Sequence, residues 1–501
     1  MKKADIVFVH PPYPDGEGLK QDGHLPSIGL LNIAAIAEKE GLKAAIVDSV
    51  ALQYTSERTV QEVIALNPRY VGLTAMTHNI STAAVIAKNL KEQNRDLVTL
   101  LGGVHISSVT EETLIKYPDC FDISILGEGE IIFRDTIRAL ENKSDLDHIS
   151  GLAFMKEGQI AAKSRYGFVQ TGCGGQIEDL DSLPFPAWHL LPDMSSHYAT
   201  TFISGKGKVS NHLLTSRGCP GRCVFCDTTV FGGKIRGYST DYVIEMVDIL
   251  YHKYGVRDIQ FNDDTFTSLR ARMHEICEKL IKKNYDDLTW SCDARVNGMS
   301  EESLALMKAA GCWQVAFGVE TGSQEIMDFL KKYVTFEQIH NAFHWARKVG
   351  ISTKGFFILG HPTETMETLK STVNLMLSLP IDVVGVTHFT AYPGSPIHPS
   401  IAKYGAFDSD WNNVNTYDVG NFIPHGFTAK QLKDLRRKAL LKFYLRPRYV
   451  FNQIMAVKSF SEVIRLFIGS WKLLTKYIFR RTPASETSFG DLTLESKLDA
   501  I

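Results

Sequence analysis

Residues 216–226 read Ser216-Arg217-Gly218-Cys219-Pro220-Gly221-Arg222-Cys223-Val224-Phe225-Cys226 and place three cysteines on one short stretch. A structural zinc site takes four protein ligands, and no second pair of Cys or His lies at zinc-finger distance. Three thiolates can instead hold a [4Fe–4S] cluster and leave one iron without a protein ligand. The spacing therefore favours an iron–sulfur cluster, with zinc or plain buried thiols as the alternatives. The later cysteines, Cys277, Cys292 and Cys312, lie within helical or strand patterns and are expected to be small buried side chains.

The alternating strand and helix patterns after this stretch, together with the strand just before it, predict six β/α repeats. They begin with a strand at His212–Thr215 and end with a strand at Val383–Thr390. Six repeats form a partial β/α barrel, whose catalytic groups lie at the carboxyl ends of the strands. Four charged residues fall at such ends: Asp263, Asp264, Arg295 and Glu320. One alone could be a helix cap or half of an ion pair, but four at equivalent positions indicate a site.

The first 145 residues alternate short apolar runs with helical patterns, which predicts a doubly wound parallel sheet. The predicted strands are Asp5–His10, Lys43–Asp48, Tyr70–Met76, Leu97–Gly103 and Ile123–Gly127, and the predicted helices are Ile28–Lys39, Ala83–Asn94 and Glu130–Leu140. Such sheets bind ligands outside the carboxyl ends of their strands, which here means the loops His10–Ser27, Thr74–Ile80, Gly102–Ser107 and Gly127–Glu130. The first strand is not followed by Gly-x-Gly-x-x-Gly, and the sequence has no Walker loop, so a nicotinamide or nucleoside triphosphate ligand has little support.

The barrel half resembles the radical S-adenosylmethionine (SAM) enzymes. The cysteine spacing, with Phe225 before the last cysteine, and the string Gly360-His361-Pro362-Thr363-Glu364 are similar to the motifs of that family. The resemblance implies that Cys219, Cys223 and Cys226 ligate the cluster. It also implies SAM contacts from Phe225, Asp264, Arg295, Glu320, Gly360 and Pro362. His361 and Thr363 depart from the family, which often has an apolar residue and glycine in those slots.

The first half resembles the cobalamin-binding domain that precedes some radical SAM barrels. The strings that carry this likeness are Gly102-Gly103-Val104-His105-Ile106-Ser107 and Ile125-Leu126-Gly127-Glu128-Gly129-Glu130. The implied cobalamin contacts are Thr74, Gly102, Gly103, His105, Gly127, Glu128, Gly129 and Glu130. Many cobalamin proteins supply a cobalt-ligating histidine from an Asp-x-His-x-x-Gly string. Here Asp22-Gly23-His24-Leu25-Pro26-Ser27 lacks the final glycine, so His24 is either a cobalt ligand or a surface loop residue.

The resemblance implies a radical SAM enzyme whose cofactors are a [4Fe–4S] cluster, SAM and cobalamin. Such an enzyme would generate a 5′-deoxyadenosyl radical and methylate an unactivated carbon of a small or lipid-like substrate, with flavodoxin or ferredoxin as electron donor. A BchE-like oxidative cyclase of tetrapyrrole synthesis is an alternative within the same family. A non-catalytic iron–sulfur or cobalamin sensor is an alternative from another class.

Composition and charge set the remaining limits. The 501 residues carry a net charge of −2, which provides no general field for binding nucleic acid. Eight cysteines are too few for a disulfide scaffold, and the first residues lack the apolar run of a signal peptide. No stretch is long and apolar enough for a membrane span. We therefore expect a cytoplasmic protein.

Basic residues are concentrated near the end of the chain. Between Gln431 and Arg481, thirteen Lys and Arg stand against two acidic residues. Within this segment, the pattern of Phe460–Phe479 is that of a basic amphipathic helix, which either lies on the inner face of a membrane or packs on the barrel. The predicted domains are a cobalamin-binding domain over 1–145, a linker over 146–205, a barrel over 206–430 and a helical extension with a disordered tail over 431–501.

Overall fold

The computed structural model describes residues 3–14, 24–156, 167–198, 209–414, 419–447 and 449–451. Its first sheet has the strand order β2-β1-β3-β4-β5-β6-β7. The strands are β1 (Ile6–His10), β2 (Ala44–Asp48), β3 (Tyr70–Thr74), β4 (Val98–Gly102), β5 (Ile123–Ile125), β6 (Leu152–Met155) and β7 (Phe168–Gln170). The helices between them are α1 (Ile28–Lys39), α2 (Ser56–Ala65), α3 (Ile80–Gln93), α4 (Val104–Ser108), α5 (Thr110–Lys116) and α6 (Gly129–Glu141).

The first five strands of this sheet are parallel, which confirms the predicted doubly wound fold. All five residues of β1 are buried, as expected for a strand of a parallel sheet that helices cover on both faces. The sheet continues beyond residue 145, because β6 pairs antiparallel with β5 and β7 pairs antiparallel with β6. The segment predicted as a linker over 146–205 therefore contributes two edge strands. Both are short, so their alternation is too brief to stand out in the sequence.

The second sheet has the strand order β15-β14-β13-β12-β11-β8, and every pairing in it is parallel. Its strands are β8 (Ser210–Leu213), β11 (Asp258–Phe261), β12 (Thr289–Ala294), β13 (Cys312–Glu320), β14 (Ser352–Leu359) and β15 (Val383–His388). Its helices are α8 (Thr240–Asp248), α9 (Arg270–Lys283), α10 (Glu301–Ala309), α11 (Gln324–Phe329), α12 (Phe336–Val349) and α13 (Met366–Ser378). These six strands confirm the predicted partial barrel.

Local sequence signals set the ends of the barrel helices. Helix α12 begins at a capping box in which Thr335 and Gln338 exchange side-chain and backbone hydrogen bonds, and it ends at Gly350. Gly350 has a φ of 77°, a left-handed conformation that glycine adopts without steric cost.

Burial alternates strictly along β12, β14 and β15, whereas β13 is buried at most positions on both faces. On each strand one set of alternate residues packs under the helices, and the rings of Phe317 on β13 and Phe343 of α12 lie 5.1 Å apart there. The other set faces the inside of the barrel, and we call this concave inner face the lumen.

Besides several short 3₁₀ and π turns, the other described strands and α-helices are α7 (Met194–His197), β9 (Ser216–Arg217), β10 (Arg236–Gly237), β16 (Gly405–Phe407), β17 (Phe422–Pro424) and α14 (Ala429–Tyr444). Both sheets belong to one compact unit that ends at Phe443.

Among the described residues, no helix combines the length and the apolar character needed to cross a bilayer. The predicted amphipathic helix at Phe460–Phe479 and the tail from Thr482 lie outside the described residues.

Candidate active site between the two sheets

The cysteine loop is closed at its base by a small β-ribbon. Strand β9 pairs antiparallel with β10, so the chain leaves and returns at one point, with the three cysteines between. At the start of the loop, Gly218 has a φ of 92°, and a side chain there would collide with the carbonyl of Lys234. The Gly221 amide donates to Sγ of Cys219 at 3.4 Å. The ribbon and the two glycines therefore turn the cysteines toward a common centre.

The arrangement of the three thiols fits a cluster better than a single ion. A zinc ion holds sulfur ligands at about 2.3 Å, which would bring three of them within roughly 4 Å of one another. Among the described residues, the sulfur atoms of Cys219, Cys223 and Cys226 do not all lie within 4.8 Å of each other. Cys277, Cys292 and Cys312 are buried in the barrel wall, as expected from their patterns. Cys223 and Cys226 lie within hydrogen-bonding distance of each other, but the set of three thiols is not gathered as closely as one zinc ion requires, and three thiolates are enough to hold a [4Fe–4S] cluster with one iron left open.

Positive charge surrounds the most buried of these thiols. Nη1 of Arg295, just after β12, lies 3.8 Å from Sγ of Cys223, and Nη2 of Arg295 donates to the carbonyl of Lys332 at 2.6 Å. A hydrogen bond from Cys226 lowers the pKa of Cys223 to about 6, and the charges of Lys332 and Arg295 act in the same direction. Cys223 therefore favours the thiolate form, which is the form that binds metal.

Glu320 ends β13 and forms a buried ion pair with Lys332. Its backbone has a φ of 70°, which is unusual for a residue other than glycine and turns the side chain back over Gly318. Glu320 is expected in the site from its position at a strand end, but Lys332 is not. Lys332 lies in a loop between helices, and no motif marks it.

The two adjacent aspartates after β11 have different surroundings. Asp263 is fully buried and accepts hydrogen bonds from the Thr215 amide, the Thr215 hydroxyl and the Ser216 hydroxyl. It braces the end of β8 against the end of β11. Asp264 instead lines the cavity described below, and its burial raises its pKa. Only the second aspartate is therefore placed to meet a ligand.

The loop after β14 is held by its own glutamate. Oε2 of Glu364 accepts the Gly360 amide at 3.2 Å, and burial raises the pKa of Glu364 to about 7. His361 is fully buried with its ring against Phe389, which explains how this loop accepts a histidine where an apolar residue is common. Gly360 has a φ of 81° and lets the strand turn sharply into the loop. Phe225 packs beside Phe389 in the apolar core under the cysteine loop.

A cavity of about 540 Å³ lies between the carboxyl ends of the two sheets. The first sheet lines it with Thr74, Gly102, Gly103, Gly127, Glu128, Gly129 and Glu130. The barrel lines it with residues that include His212, Arg217, Phe231 and Asp264. A Cβ added to Gly102 would meet nothing within 4 Å, so the backbone there is open to a ligand. Such a cradle beside the cysteine loop fits a large flat ligand.

His105 does not line this cavity, contrary to the expectation for a cobalamin contact. Its ring is fully buried, hydrogen-bonds to Thr77 and Thr113, and packs edge-on against Trp411 at 4.5 Å. Burial lowers the pKa of His105 to about 3, so it is neutral. Its string marks the loop correctly, but its side chain points into the core.

Glu128 and Glu130 join the two sheets through a buried ion network. Arg217 of β9 contacts Glu128 at 2.9 Å and Glu130 at 2.5 Å, and Arg236 of β10 contacts Glu128 at 2.5 Å. All four residues are buried, with at most 5% of their surface exposed to solvent. The two glutamates, expected as cofactor contacts, therefore fix the first sheet and its helices against the cysteine loop and only border the cavity.

His24 lies in a separate cluster beside the first sheet. Its Nε2–H donates to Asp48 at 3.1 Å, and the His10 ring and the Tyr198 hydroxyl bind the same carboxylate. His24 does not line the cavity, and we assign it no contact with a ligand there.

Comparison with known proteins agrees with this organisation. Residues 18–137 match the model of the B12 binding domain, and residues 213–376 match the model of the Radical SAM superfamily. An uncharacterized methyltransferase of Pyrococcus horikoshii is 32% identical over 92% of this chain and 96% of its own length. The anaerobic magnesium-protoporphyrin IX monomethyl ester cyclase of Rubrivivax gelatinosus is 28% identical over 82% of this chain and 72% of its own length.

Solved structures share the fold. The cobalamin-dependent SAM radical enzyme OxsB matches with a TM-score of 0.72 at 17% identity, over 94% of this chain and 71% of that one. The radical SAM methyltransferase TsrM of Kitasatospora setae matches with a TM-score of 0.64 at 19% identity, over 80% of this chain and 75% of that one. The chain therefore belongs to the family of cobalamin-binding radical SAM enzymes, whose cofactors are a [4Fe–4S] cluster, SAM and cobalamin.

Proposed function

We propose that this enzyme transfers a methyl group to an unactivated carbon of a small-molecule substrate. The observation that carries the proposal is the single cavity that joins Gly102 and Gly127 of the first sheet to Asp264 beside the cysteine loop. When bound, the cluster supplies the electron that cleaves SAM to a 5′-deoxyadenosyl radical, and cobalamin supplies the methyl group. One shared cavity lets both act on the same carbon.

The side chains of the site support this division of roles. Arg295 and Lys332 place positive charge beside the cluster thiolates, and Arg295 fixes the loop of Lys332 through its backbone carbonyl. We assign Asp264 to the amino group of SAM, because it lines the cavity at the end of β11 and is held at the start of the cysteine loop by the Gly218 amide, whereas the other carboxylate beside the loop, Asp227, already accepts from the Ser108 hydroxyl and the Thr229 amide. Glu320, Gly360, Pro362 and Phe225 are proposed to complete the SAM site at the ends of β13 and β14. Flavodoxin or ferredoxin is the proposed electron donor.

The test is the stoichiometry of SAM consumption in a defined reaction. Reconstituted protein is incubated with SAM labelled in its methyl group, a chemical reductant and a small-molecule extract of its own cells. Methyl transfer yields a labelled product with equal amounts of 5′-deoxyadenosine and S-adenosylhomocysteine. An oxidative cyclase, the second candidate because a cyclase is among the relatives, yields 5′-deoxyadenosine without S-adenosylhomocysteine. If neither adenosine product forms, the enzymatic assignment is wrong.

The cavity wall makes a separate prediction for cobalamin. Gly102→Leu should abolish cobalamin binding, because the added side chain meets no protein atom and extends into the cavity. Retention of cobalamin after gel filtration, measured by its visible absorption, checks this. Gly175→Leu is the matched control, since a Cβ there also meets nothing within 4 Å but this glycine is exposed and outside the cavity. Equal cobalamin content in both variants would contradict the placement.

A further inference from the structure

The lumen of the barrel holds two half-buried side chains of opposite charge, Asp293 on β12 and Lys354 on β14. In the strand register, Asp293 lies opposite Ala316 of β13, and Ala316 lies opposite Lys354. Paired residues of parallel strands point to the same face, so all three share one level of the lumen. With two strand spacings of about 4.8 Å between them, the backbones of Asp293 and Lys354 are roughly 10 Å apart.

Neither charge has an ionic partner. Within the part of the chain that the structure describes, neither Asp293 nor Lys354 makes a salt bridge or a side-chain hydrogen bond. Lys354 only lies over the ring of Phe356, with its Nζ 4.8 Å from the centre of the ring. Unpaired charges in a half-buried position are costly, and proteins retain them where a ligand pairs with them.

Burial has the expected effect on both groups. It raises the pKa of Asp293 to about 6, and it lowers the pKa of Lys354. Each charge favours the ionised form of the other across the lumen, but they remain too far apart to form an ion pair. A ligand that carries both a positive and a negative group would offset the free-energy cost of burying each of these two charges.

The residues of β13 at and just above this level are small. Ala316 carries only a methyl group, and Gly318, the next lumen-facing residue, has no side chain and lies under the Glu320 and Lys332 side chains. Gly385 of β15 lets the Phe356 ring lie flat, since a Cβ there would come within 2.9 Å of that ring. Below Ala316, the Nε2 of Gln314 is buried and has no hydrogen-bond partner among the described residues. It gives this level a further unused donor.

This subsite lies below the chemistry that the proposed function requires. Glu320 is four residues further along β13 than Ala316, which corresponds to roughly 13 Å of strand. A substrate held at Asp293 and Lys354 would therefore extend upward toward Glu320, Lys332 and the cysteine loop. Its charged end would be fixed, and its opposite end would face Glu320 and Lys332.

We propose that Asp293 and Lys354 form a substrate subsite that binds the ammonium and carboxylate groups of an amino-acid-like zwitterion. Asp293 accepts from the ammonium group, and Lys354 pairs with the carboxylate. The role of this subsite in catalysis rests on the proposed function. Its binding of a zwitterion can be measured on the folded protein without any reaction.

The experiment is equilibrium dialysis of the full-length protein, reconstituted with cluster and cobalamin, in saturating SAM so that the iron site is occupied. The probe is a mixture of the carbon-14-labelled protein amino acids. Parallel samples contain N-acetylated amino acids, which lack the positive charge, or the corresponding amines, which lack the negative charge. We expect the wild type to retain only the zwitterions.

Asp293→Asn and Lys354→Gln should each lower this retention at least tenfold. Lys282→Gln and Asp286→Asn, which change exposed residues, are the matched controls and should retain the probe. The absorption of the cluster and the thermal unfolding midpoint show that each variant is folded.

Three results would overturn the subsite: no retention by the wild type, equal retention of the singly charged probes, or unchanged retention by both lumen variants. Failure of the proposed function looks different. In that case the subsite variants lose the zwitterions, while the wild type forms no S-adenosylhomocysteine in the stoichiometry assay.

Discussion

Cys223→Ala should lose the iron–sulfur cluster and all cleavage of SAM. Cys223 is the most buried of the three thiols and the one that Arg295 faces, and two remaining thiolates hold a cluster poorly. Iron content, the brown absorption of the reconstituted protein and the formation of 5′-deoxyadenosine measure the effect. Cys219→Ala and Cys226→Ala should behave in the same way.

Two variants make this prediction specific. Cys277→Ala changes a cysteine buried in the barrel wall and should leave iron and SAM cleavage intact. Arg295→Gln removes the positive charge beside Cys223 and should cost about 10–100-fold in activity, as expected for a partner of a metal ligand. Normal iron content and turnover in Cys223→Ala would show that the cluster is not bound here.

Arg217→Leu should destabilise the protein by about 3–5 kcal/mol, because it leaves Glu130 buried without its counter-charge and leaves Glu128 with Arg236 alone. Urea unfolding monitored by tryptophan fluorescence measures the loss. The control is Arg138→Leu, which breaks an exposed pair with Glu40 and should change the stability by less than about 1 kcal/mol.

A rescue experiment separates the ion network from the loss of packing. Adding Glu130→Gln to Arg217→Leu removes the uncompensated charge while Glu128 keeps its pair with Arg236, and it should restore a substantial part of the stability. Equal unfolding midpoints for wild type and Arg217→Leu would mean that these charges contribute nothing to the attachment of the two sheets.

The elements that sequence predicts best are those with a strong local pattern. Strand β1 is a continuous apolar run, and its predicted and observed bounds differ by one residue. Strands β6 and β7, with four and three residues, are too short for a visible period and were missed. In helix α12, the cap at Thr335 and the glycine at its end are themselves sequence signals.

The candidate site divides in the same way. The three cysteines and Asp264 are predicted as site residues because they belong to compact sequence motifs, and the motif around Gly102 predicts part of the cavity wall. His105 belongs to the same string, yet Trp411, about three hundred residues later, packs against its ring. A sequence motif predicts the position of a loop, but it does not predict whether each side chain of that loop points into the cavity or into the core.

By itself, the sequence determined the family and the two parallel sheets and singled out the three cysteines that we propose hold the cluster, because spacing and alternation within one segment carry that information. Only the tertiary structure decided that Glu128 and Glu130 meet Arg217, that Lys332 pairs with Glu320, and that Asp293 and Lys354 share a level of the lumen. These partners lie on different strands and loops. Their meeting depends on strand order and register across the sheets, and the free energy that fixes it comes from burial of the whole core, which no single stretch of sequence records.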